Sequence, residues 1–210
     1  LGVTGGIAAY KACELTRLLV KAGHEVRVIL TQAAENFVGA TTFHSLSGNP
    51  VLRTLGNSDG SYDLSATAHI DLARWADFLV IAPATANFCA KYAAGIADDP
   101  LLTEALSFSG PVLLAPAMNT RMWDAPITQE NMARLRQRGV NFIGPIAGDL
   151  ACGEQGMGKM AEPTEIFMAL QTLAAMANDL HTSSIDLPLQ GKNVLVTSGP
   201  TRSYIDAVRF

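Results

Sequence analysis

The sequence predicts an α/β fold with a doubly wound parallel sheet and helices on both faces. A strand–helix–strand unit within the first thirty residues indicates a parallel sheet, because consecutive parallel strands need a crossover connection. Further short apolar runs, separated by helical segments, indicate strands that are buried on both faces. This alternation is typical of a three-layer domain of the Rossmann or flavodoxin-like type.

The opening unit is visible in the change of hydrophobic period. Residues 1–4 form the end of a strand, and Gly5-Gly6 forms the turn that follows it. Apolar residues recur at helical spacing over 8–21, and Gly23 ends that helix. The run over 25–30 then predicts a second strand, and the crossover between the two strands should be right-handed.

The remaining strands are predicted over 78–82, 112–115 and 141–144, and each is a short apolar run. Between 49 and 65 the periodicity weakens into Gly, Asn, Ser and Asp, which predicts a mobile surface loop. The stretch over 144–158 is similarly rich in glycine, so it is predicted as a second loop.

The C-terminal part of the chain predicts a change of domain. A helix is predicted near 165–178, and the aperiodic segment over 181–190, which contains Ser, Thr and Pro, indicates a linker. A new strand begins at Asn193. We therefore predict one domain over 1–180, a linker over 181–190, and the start of a truncated second α/β domain over 191–210.

Composition excludes several classes of protein. A net charge of −4 provides no basic surface for nucleic acid, and the apolar stretch over 78–84 is far too short to span a membrane. The three cysteines, Cys13, Cys89 and Cys152, contain no Cys-x-x-Cys pair. This sparse, odd count argues against a disulfide framework or a zinc site, so no metal is expected and a cytoplasmic location fits best.

The first turn suggests a phosphate site. Backbone amides of Gly5, Gly6 and Ile7 lie at a predicted helix N-terminus, with the Thr31 hydroxyl opposite, which suits a phosphate monoester such as that of FMN. The glycine spacing is not Gly-x-Gly-x-x-Gly, and the second strand ends without an acidic residue, so NAD is disfavoured. A purely structural strand-to-helix turn is the alternative.

Two further strand ends strengthen this interpretation. The segments 82–87 and 115–120 each follow a buried strand and place an asparagine, Asn87 or Asn119, after small residues. Ligands of parallel α/β sheets bind at such strand ends, and small residues let a planar ring approach the backbone. Each asparagine taken alone is more simply explained as a turn cap.

These segments together resemble the homo-oligomeric flavin-containing cysteine decarboxylases. The motifs stand in the family's order: Gly5 to Lys11, then His69, Pro83 to Asn87, Pro116 to Asn119, and Ala151 to Gly153. In addition, 191–210 resembles the opening of a phosphopantothenate-cysteine ligase domain, which implies a bifunctional parent protein.

The resemblance implies FMN as cofactor, with its phosphate at the Gly5-Gly6-Ile7 turn and near Thr31. It places the flavin ring beside Thr85, Ala86 and Asn87. The implied activity is decarboxylation of 4'-phosphopantothenoylcysteine to 4'-phosphopantetheine in coenzyme A biosynthesis. In this reaction the flavin oxidises the cysteine moiety to a thioaldehyde, carbon dioxide departs, and the resulting enethiol is reduced.

The resemblance also assigns three residues to the chemistry. It makes His69 the base or proton manager of the first half-reaction, Asn119 the residue that holds the substrate carboxylate, and Cys152 the proton donor of the reductive half-reaction. It further implies a Gly-rich flap over 148–158 that closes over the substrate. The implied substrate-binding residues are Asn119, Gly153, Glu154 and Lys159.

Structural explanations remain open for the same residues. His69 could be a helix-face histidine bonded to backbone, Cys152 an apolar filler, and the flap an ordinary solvated loop. Two departures also limit the resemblance. Phe88 stands where Thr is more usual, and Lys159 stands where Arg is expected, which keeps the charge but loses the bidentate geometry.

Other functions are compatible with the scaffold. A decarboxylase of peptides that end in cysteine or a flavin prenyltransferase would share the fold, but the ligase-like tail argues against both. A flavin-binding regulatory subunit should lack His69, Asn119 or Cys152, and all three are present. A nicotinamide oxidoreductase is the last alternative. The resemblance also implies a homo-oligomer, a trimer that can group into dodecamers.

Overall fold

The computed structural model describes residues 1–53, 68–149, 153 and 155–182, with only the backbone described for 68–70 and 177–182. Contacts divide the chain into a compact unit, Leu1–Ala175, and a second unit, Met176–Phe210. The predicted second domain over 191–210 and all but the first two residues of the predicted linker lie outside the described residues.

Six parallel strands form the central sheet, in the order β3-β2-β1-β4-β5-β6. This order reverses direction between β1 and β4, as in a doubly wound fold, so the predicted fold class is confirmed. An antiparallel hairpin of two further strands, β7 and β8, follows the sheet. The strands are β1 (Gly2–Val3), β2 (Val28–Leu30), β3 (Val51–Leu52), β4 (Leu79–Ala84), β5 (Val112–Pro116), β6 (Asn141–Phe142), β7 (Ile146–Asp149) and β8 (Gln155–Lys159).

Helices cover both faces of the sheet and bury two separate apolar clusters. In β2, Val28 and Leu30 belong to one cluster and Ile29 to the other, which is the alternation expected of a strand that is buried on both faces. The helices are α1 (Ala9–Lys21), α2 (Ala40–Ser47), α3 (Ala68–Trp75), α4 (Ala86–Ala94), α5 (Pro100–Ser107), α6 (Thr120–Asp124), α7 (Pro126–Gln137) and α8 (Pro163–Thr182).

Two predicted loops contain strands. The predicted loop over 49–65 includes β3, a two-residue edge strand paired with β2, while residues 54–67 lie outside the described part. The predicted loop over 144–158 contains β7 and most of β8. Both predictions were wrong at these positions because strands of two to five residues, and strands rich in glycine, give almost no periodic signal.

No described helix combines the length and the apolar character that a membrane crossing requires.

Candidate active site

A cavity of about 920 Å³ lies at the carboxyl ends of β1 and β4, where the strand order reverses. This is the position at which open α/β sheets bind ligands, and the volume is that of a cofactor-sized pocket. All seven predicted cofactor residues line the cavity, and so do Asn119 and Lys159. The seven are Gly5, Gly6, Ile7, Thr31, Thr85, Ala86 and Asn87.

Thr4 joins the two strand ends beneath the cavity. Its buried hydroxyl donates a hydrogen bond to the Pro83 carbonyl at 2.7 Å and accepts one from the Thr85 amide at 3.1 Å. Both of these backbone groups are thereby satisfied, which fixes the spacing between the β1 and β4 turns. Sequence reasoning missed Thr4, since a threonine at a strand end carries no distinctive pattern.

The glycine turn after β1 has two different requirements. A Cβ at Gly5 would overlap the Cβ of Ala33 and lie 2.8 and 2.9 Å from its carbonyl carbon and oxygen, so packing against the turn after β2 requires glycine there. A Cβ at Gly6 would meet only Thr85 Cγ2, at 3.8 Å. Protein packing therefore does not require glycine at position 6, and the open space faces the cavity.

Helix α1 begins beside this turn without a side-chain cap. Its N-cap residue, Ala8, makes no capping hydrogen bond, and the first turn carries no acidic residue. Backbone amides at such a helix start favour an anion. Thr31 lies across the cavity, and its hydroxyl makes a long contact, 3.5 Å, to the Val3 carbonyl oxygen. The arrangement fits a phosphate monoester.

The segment after β4 forms the second side of the cavity. Thr85 is the N-cap of α4, and its hydroxyl accepts a hydrogen bond from the Phe88 amide at 3.4 Å. Asn87 is exposed on the first turn of α4. The Phe88 side chain, one of the two departures, is 2% exposed and packs on Tyr92, with 5.8 Å between ring centroids. Phe88 therefore contributes to the core at the edge of the cavity.

Asn119 is both a helix cap and a residue of the cavity wall, so the two interpretations that the sequence left open, turn cap and ligand-binding residue, are compatible. It is the N-cap of α6, and its side-chain oxygen accepts a hydrogen bond from the Arg121 amide at 2.8 Å. It also lines the cavity. The capping bond fixes the side chain, which is what a residue that orients a ligand needs.

The β7–β8 hairpin packs directly on the segment that carries Asn119. The Met118 amide donates to the Gly158 carbonyl at 3.0 Å, and a Cβ at Gly158 would collide with the Met118 carbonyl oxygen. A Cβ at Gly156 would overlap the side chain of Thr120. The glycines that made this stretch resemble a loop are therefore sites of close backbone contact.

A charged cluster lies at the end of the hairpin. The Lys11 ammonium contacts both carboxylate oxygens of Glu162 at 2.8 Å, and the Lys159 ammonium lies 3.1 Å from one of them. These hydrogen bonds, chiefly that from Lys11, hold the pKa of the Glu162 carboxyl below its usual value. Lys11 and Lys159 both line the cavity. Sequence reasoning did not single out Lys11 or Glu162, because ion pairs between distant residues leave no local pattern.

Several predicted residues cannot be placed against this cavity. Cys152 and Glu154 lie outside the described residues, and His69 is described only as backbone in the first turn of α3. Gly153 is exposed, with φ +83°. Their predicted roles stay predictions.

The two described cysteines belong to the apolar clusters, Cys89 within one and Cys13 packed against the other. Cys89 is buried, and burial raises the pKa of its thiol to about 12, so it stays protonated. Burial also raises the pKa of the Cys13 thiol. Within the described residues, no group of His, Cys, Asp and Glu side chains is arranged to hold a metal ion.

Comparisons with known proteins agree with this geometry. The chain is 49% identical over 210 residues to the coenzyme A biosynthesis bifunctional protein CoaBC of Haemophilus influenzae, covering 100% of this chain and 50% of that protein. The chain therefore spans about half the length of the relatives it matches.

Two solved structures share the fold. A PPC decarboxylase, solved as a cysteine-to-serine mutant complexed with pantothenoylaminoethenethiol, superposes with a TM-score of 0.71 at 32% identity, covering 83% of this chain and 96% of that one. The FMN binding protein AtHal3 superposes with a TM-score of 0.66 at 33% identity, covering 81% of this chain and 92% of that one.

The family resemblance that the motif order suggested is thus confirmed by independent comparisons of sequence and of structure. A sequence model of the family described as Flavoprotein matches residues 1–175, which is the whole of the first compact unit. The chain belongs to the Flavoprotein family.

Proposed function

We propose that this chain binds FMN and decarboxylates 4'-phosphopantothenoylcysteine to 4'-phosphopantetheine, a step of coenzyme A biosynthesis. The observation that carries the proposal is the convergence of all seven predicted cofactor residues, with Asn119 and Lys159, on one cavity at the switch point of the sheet. The similarity to a PPC decarboxylase and to an FMN binding protein supports the same chemistry.

The residues present fit FMN. Amides at the start of α1, the open space at Gly6 and the Thr31 hydroxyl would hold the phosphate, and the segment from Thr85 to Asn87 would flank the ring system. Bound FMN supplies a two-electron oxidation of the substrate's cysteine carbon and returns the electrons after carbon dioxide has left. The protein's own contribution is to bind, orient and manage protons.

Asn119 would hold the substrate carboxylate through its amide while its oxygen stays in the α6 cap. Asn119→Asp separates these two roles, since an aspartate keeps the cap but places a negative charge beside the carboxylate. We expect FMN content and thermal stability to stay unchanged while carbon dioxide release falls at least about 100-fold. Equal loss of stability and activity would assign Asn119 to the helix cap alone.

His69 and Cys152 complete the proposed mechanism. His69 would take a proton during the first half-reaction, since histidine is the side chain that most often serves as a general base. Cys152 would donate the late proton that accompanies reduction of the enethiol. The resemblance supports both roles.

The direct test incubates purified, FMN-loaded protein with phosphopantothenoylcysteine and measures carbon dioxide and phosphopantetheine. We expect both products from the unmodified protein. With Cys152→Ser, carbon dioxide should still appear while phosphopantetheine does not, because the thiol acts after decarboxylation. The absence of carbon dioxide from the unmodified protein would contradict the proposed function, and loss of FMN from the variant would make Cys152 structural.

A homo-oligomer belongs to the same proposal. Ile7, Tyr10 and Met122 line the cavity and are 60%, 59% and 49% exposed, which is unusual for large apolar side chains clustered at one site. A trimer that can group into dodecamers would cover them, and native mass spectrometry of the purified protein measures this directly. We also propose a cytoplasmic location, which the sparse, odd count of three cysteines supports because it does not suit a disulfide framework.

The domain organisation stays a proposal too. We infer a decarboxylase domain over 1–180, a linker over 181–190 and the first part of a phosphopantothenate-cysteine ligase domain over 191–210. The family match ends at residue 175, and the relative from Haemophilus influenzae is named a bifunctional protein of about twice this length. Limited proteolysis that cleaves first within 181–190 would support these boundaries.

A further inference from the structure

Three charged side chains meet where the hairpin ends. Lys159 is the last residue of β8, Lys11 lies on α1 one turn after the glycine turn, and Glu162 directly precedes α8. The carboxylate lies between the two ammonium groups, 2.8 Å from Lys11 and 3.1 Å from Lys159. The cluster carries two positive charges and one negative, and both lysines line the cavity.

We propose that Glu162 is a positioning residue: braced by Lys11, it holds the Lys159 ammonium at the cavity wall as the contact for an anionic group of the substrate. This inference rests on the proposed function. It adds to that function Glu162 and Lys11, the two residues that position the Lys159 ammonium.

Glu162 is itself held firmly. Lys11 contacts both of its carboxylate oxygens, and the Lys11 side chain is 10% exposed while that of Glu162 is 40% exposed, so the pair joins a buried cation to a carboxylate at the protein surface. The Glu162 backbone amide donates to the Glu165 carboxylate at 2.8 Å, an interaction typical of a helix start. The Glu162 carboxylate therefore has a fixed position, from which it can orient the Lys159 ammonium.

The Lys159 side chain needs a partner with a fixed position. A lysine is a compact charge on a flexible four-carbon stem, unlike the planar arginine that the family pattern favours at this position. The stem passes close to Gly148 on β7, where a Cβ would lie 3.1 Å from Lys159 Cδ. Without the Glu162 carboxylate, the two ammonium groups would repel each other, and Lys159 would turn toward solvent.

The anionic group is either the phosphate or the carboxylate of the substrate, since an ammonium binds both. Two compounds separate these sources. Phosphopantetheine has the phosphate and lacks the carboxylate, while pantothenoylcysteine has the carboxylate and lacks the phosphate. The group that Lys159 contacts is the one whose compound binds less tightly when Glu162 is changed.

The experiment is a double-mutant cycle on the FMN-loaded protein with Glu162→Gln, Lys159→Met and the combined variant. We expect Glu162→Gln to raise KM for phosphopantothenoylcysteine about tenfold with kcat within about twofold, as for a lost binding contact. In the combined variant, KM should equal that of Lys159→Met alone, because Glu162 acts through Lys159. Gly148→Ala adds a methyl group that presses on the Lys159 side chain, so it should also raise KM.

Glu165→Gln is the matched control, since it removes a negative charge from the same helix start outside the cavity, while the glutamine oxygen can still accept the hydrogen bond from the Glu162 amide. It should leave KM unchanged. Additive effects in the combined variant, or an equal effect of Glu165→Gln, would overturn the inference. If a Glu162 or Lys159 variant releases FMN while its KM is unchanged, the two lysines contact the cofactor and not the substrate. That result would overturn the inference as well.

Failure of the proposed function gives a different result. If the unmodified protein releases no carbon dioxide, the decarboxylase assignment fails, while the phosphopantetheine and pantothenoylcysteine dissociation constants, measured by calorimetry, still test Glu162. If Glu162→Gln changes neither constant, or neither compound binds the unmodified protein, the positioning role is excluded.

Discussion

The two sides of the cavity are built in different ways. The sheet side consists of the turns that follow β1, β2 and β4, and the hairpin side consists of β7, β8 and the Met118–Thr120 turn. On the sheet side, buried parallel strands and the Thr4 hydrogen bonds fix the backbone. On the hairpin side, glycine contacts and an ion-pair cluster do so, and the Lys159 and Glu162 side chains of that cluster are 38% and 40% exposed.

This difference separates two kinds of requirement. The sheet side presents backbone amides whose position follows from the fold, which suits a cofactor that stays bound. The hairpin side presents side chains whose position depends on a few specific contacts, which suits a substrate that comes and goes. Substitutions on the sheet side should therefore alter the affinity for the cofactor, and substitutions on the hairpin side should alter the binding and turnover of the substrate.

The largest expected effect is that of Gly158→Ala. The added Cβ would collide with the Met118 carbonyl, and φ at this position is +145°, so both contact and backbone conformation oppose it. We expect a loss of about 3 kcal/mol in unfolding free energy and a fall of about 100-fold in carbon dioxide release. Thermal unfolding and the decarboxylation assay measure these.

Gly39→Ser is the control for this change, because Gly39 has φ −73° and nothing within 4 Å of an added Cβ, and because it is the N-cap of α2, where serine is favoured. It should change neither quantity appreciably. A Gly158→Ala protein with full stability and activity would show that the hairpin is not held by this contact.

A pair of glycine substitutions on the sheet side should give opposite results. Gly5→Ala meets Ala33, so we expect the FMN-free protein to lose about 2 kcal/mol of stability. Gly6→Ala meets no close protein atom, so the FMN-free protein should be unaffected while FMN affinity falls about tenfold, or about 1.4 kcal/mol. Denaturant titration and flavin fluorescence titration distinguish them, and normal FMN affinity in Gly6→Ala would place the phosphate elsewhere.

The smallest effect concerns acid stability on the hairpin side. The pKa of the Glu162 carboxyl is lowered in the folded protein, chiefly by Lys11, from an ordinary value of roughly 4.3. Its pairing therefore stabilises the fold above that value, and the stabilisation is lost as pH falls through the lowered pKa. The difference in melting temperature between the unmodified protein and Glu162→Gln should be constant near neutral pH and should vanish in acid. A difference that persists in acid would exclude this carboxylate as its source.

Sequence reasoning predicted the sheet side far better than the hairpin side. The glycine turn, Thr31 and the segment from Thr85 to Asn87 were predicted to converge because parallel strands end at one edge of a sheet, and that rule needs only local patterns. Thr4 was missed because its partners, Pro83 and Thr85, are distant in sequence.

The hairpin side was hidden for a physical reason. Its strands contain glycines at 148, 156 and 158, which lower strand propensity, and their use becomes visible only when Met118 and Thr120 are in place. The Lys11–Glu162 pair joins residues 151 positions apart, so only the folded chain reveals it. The sequence did identify Lys159, through its departure from the expected arginine.

The Thr4 hydroxyl has a consequence for how the cavity can change its width. Parting β1 from β4 would leave the buried Pro83 carbonyl and the Thr85 amide without partners, at a cost on the order of 1–3 kcal/mol for each group. The floor of the cavity, where β1 lies beside β4, is therefore rigid and does not widen when a ligand binds. Any adjustment to ligand size must come from the opposite wall, where the hairpin meets solvent.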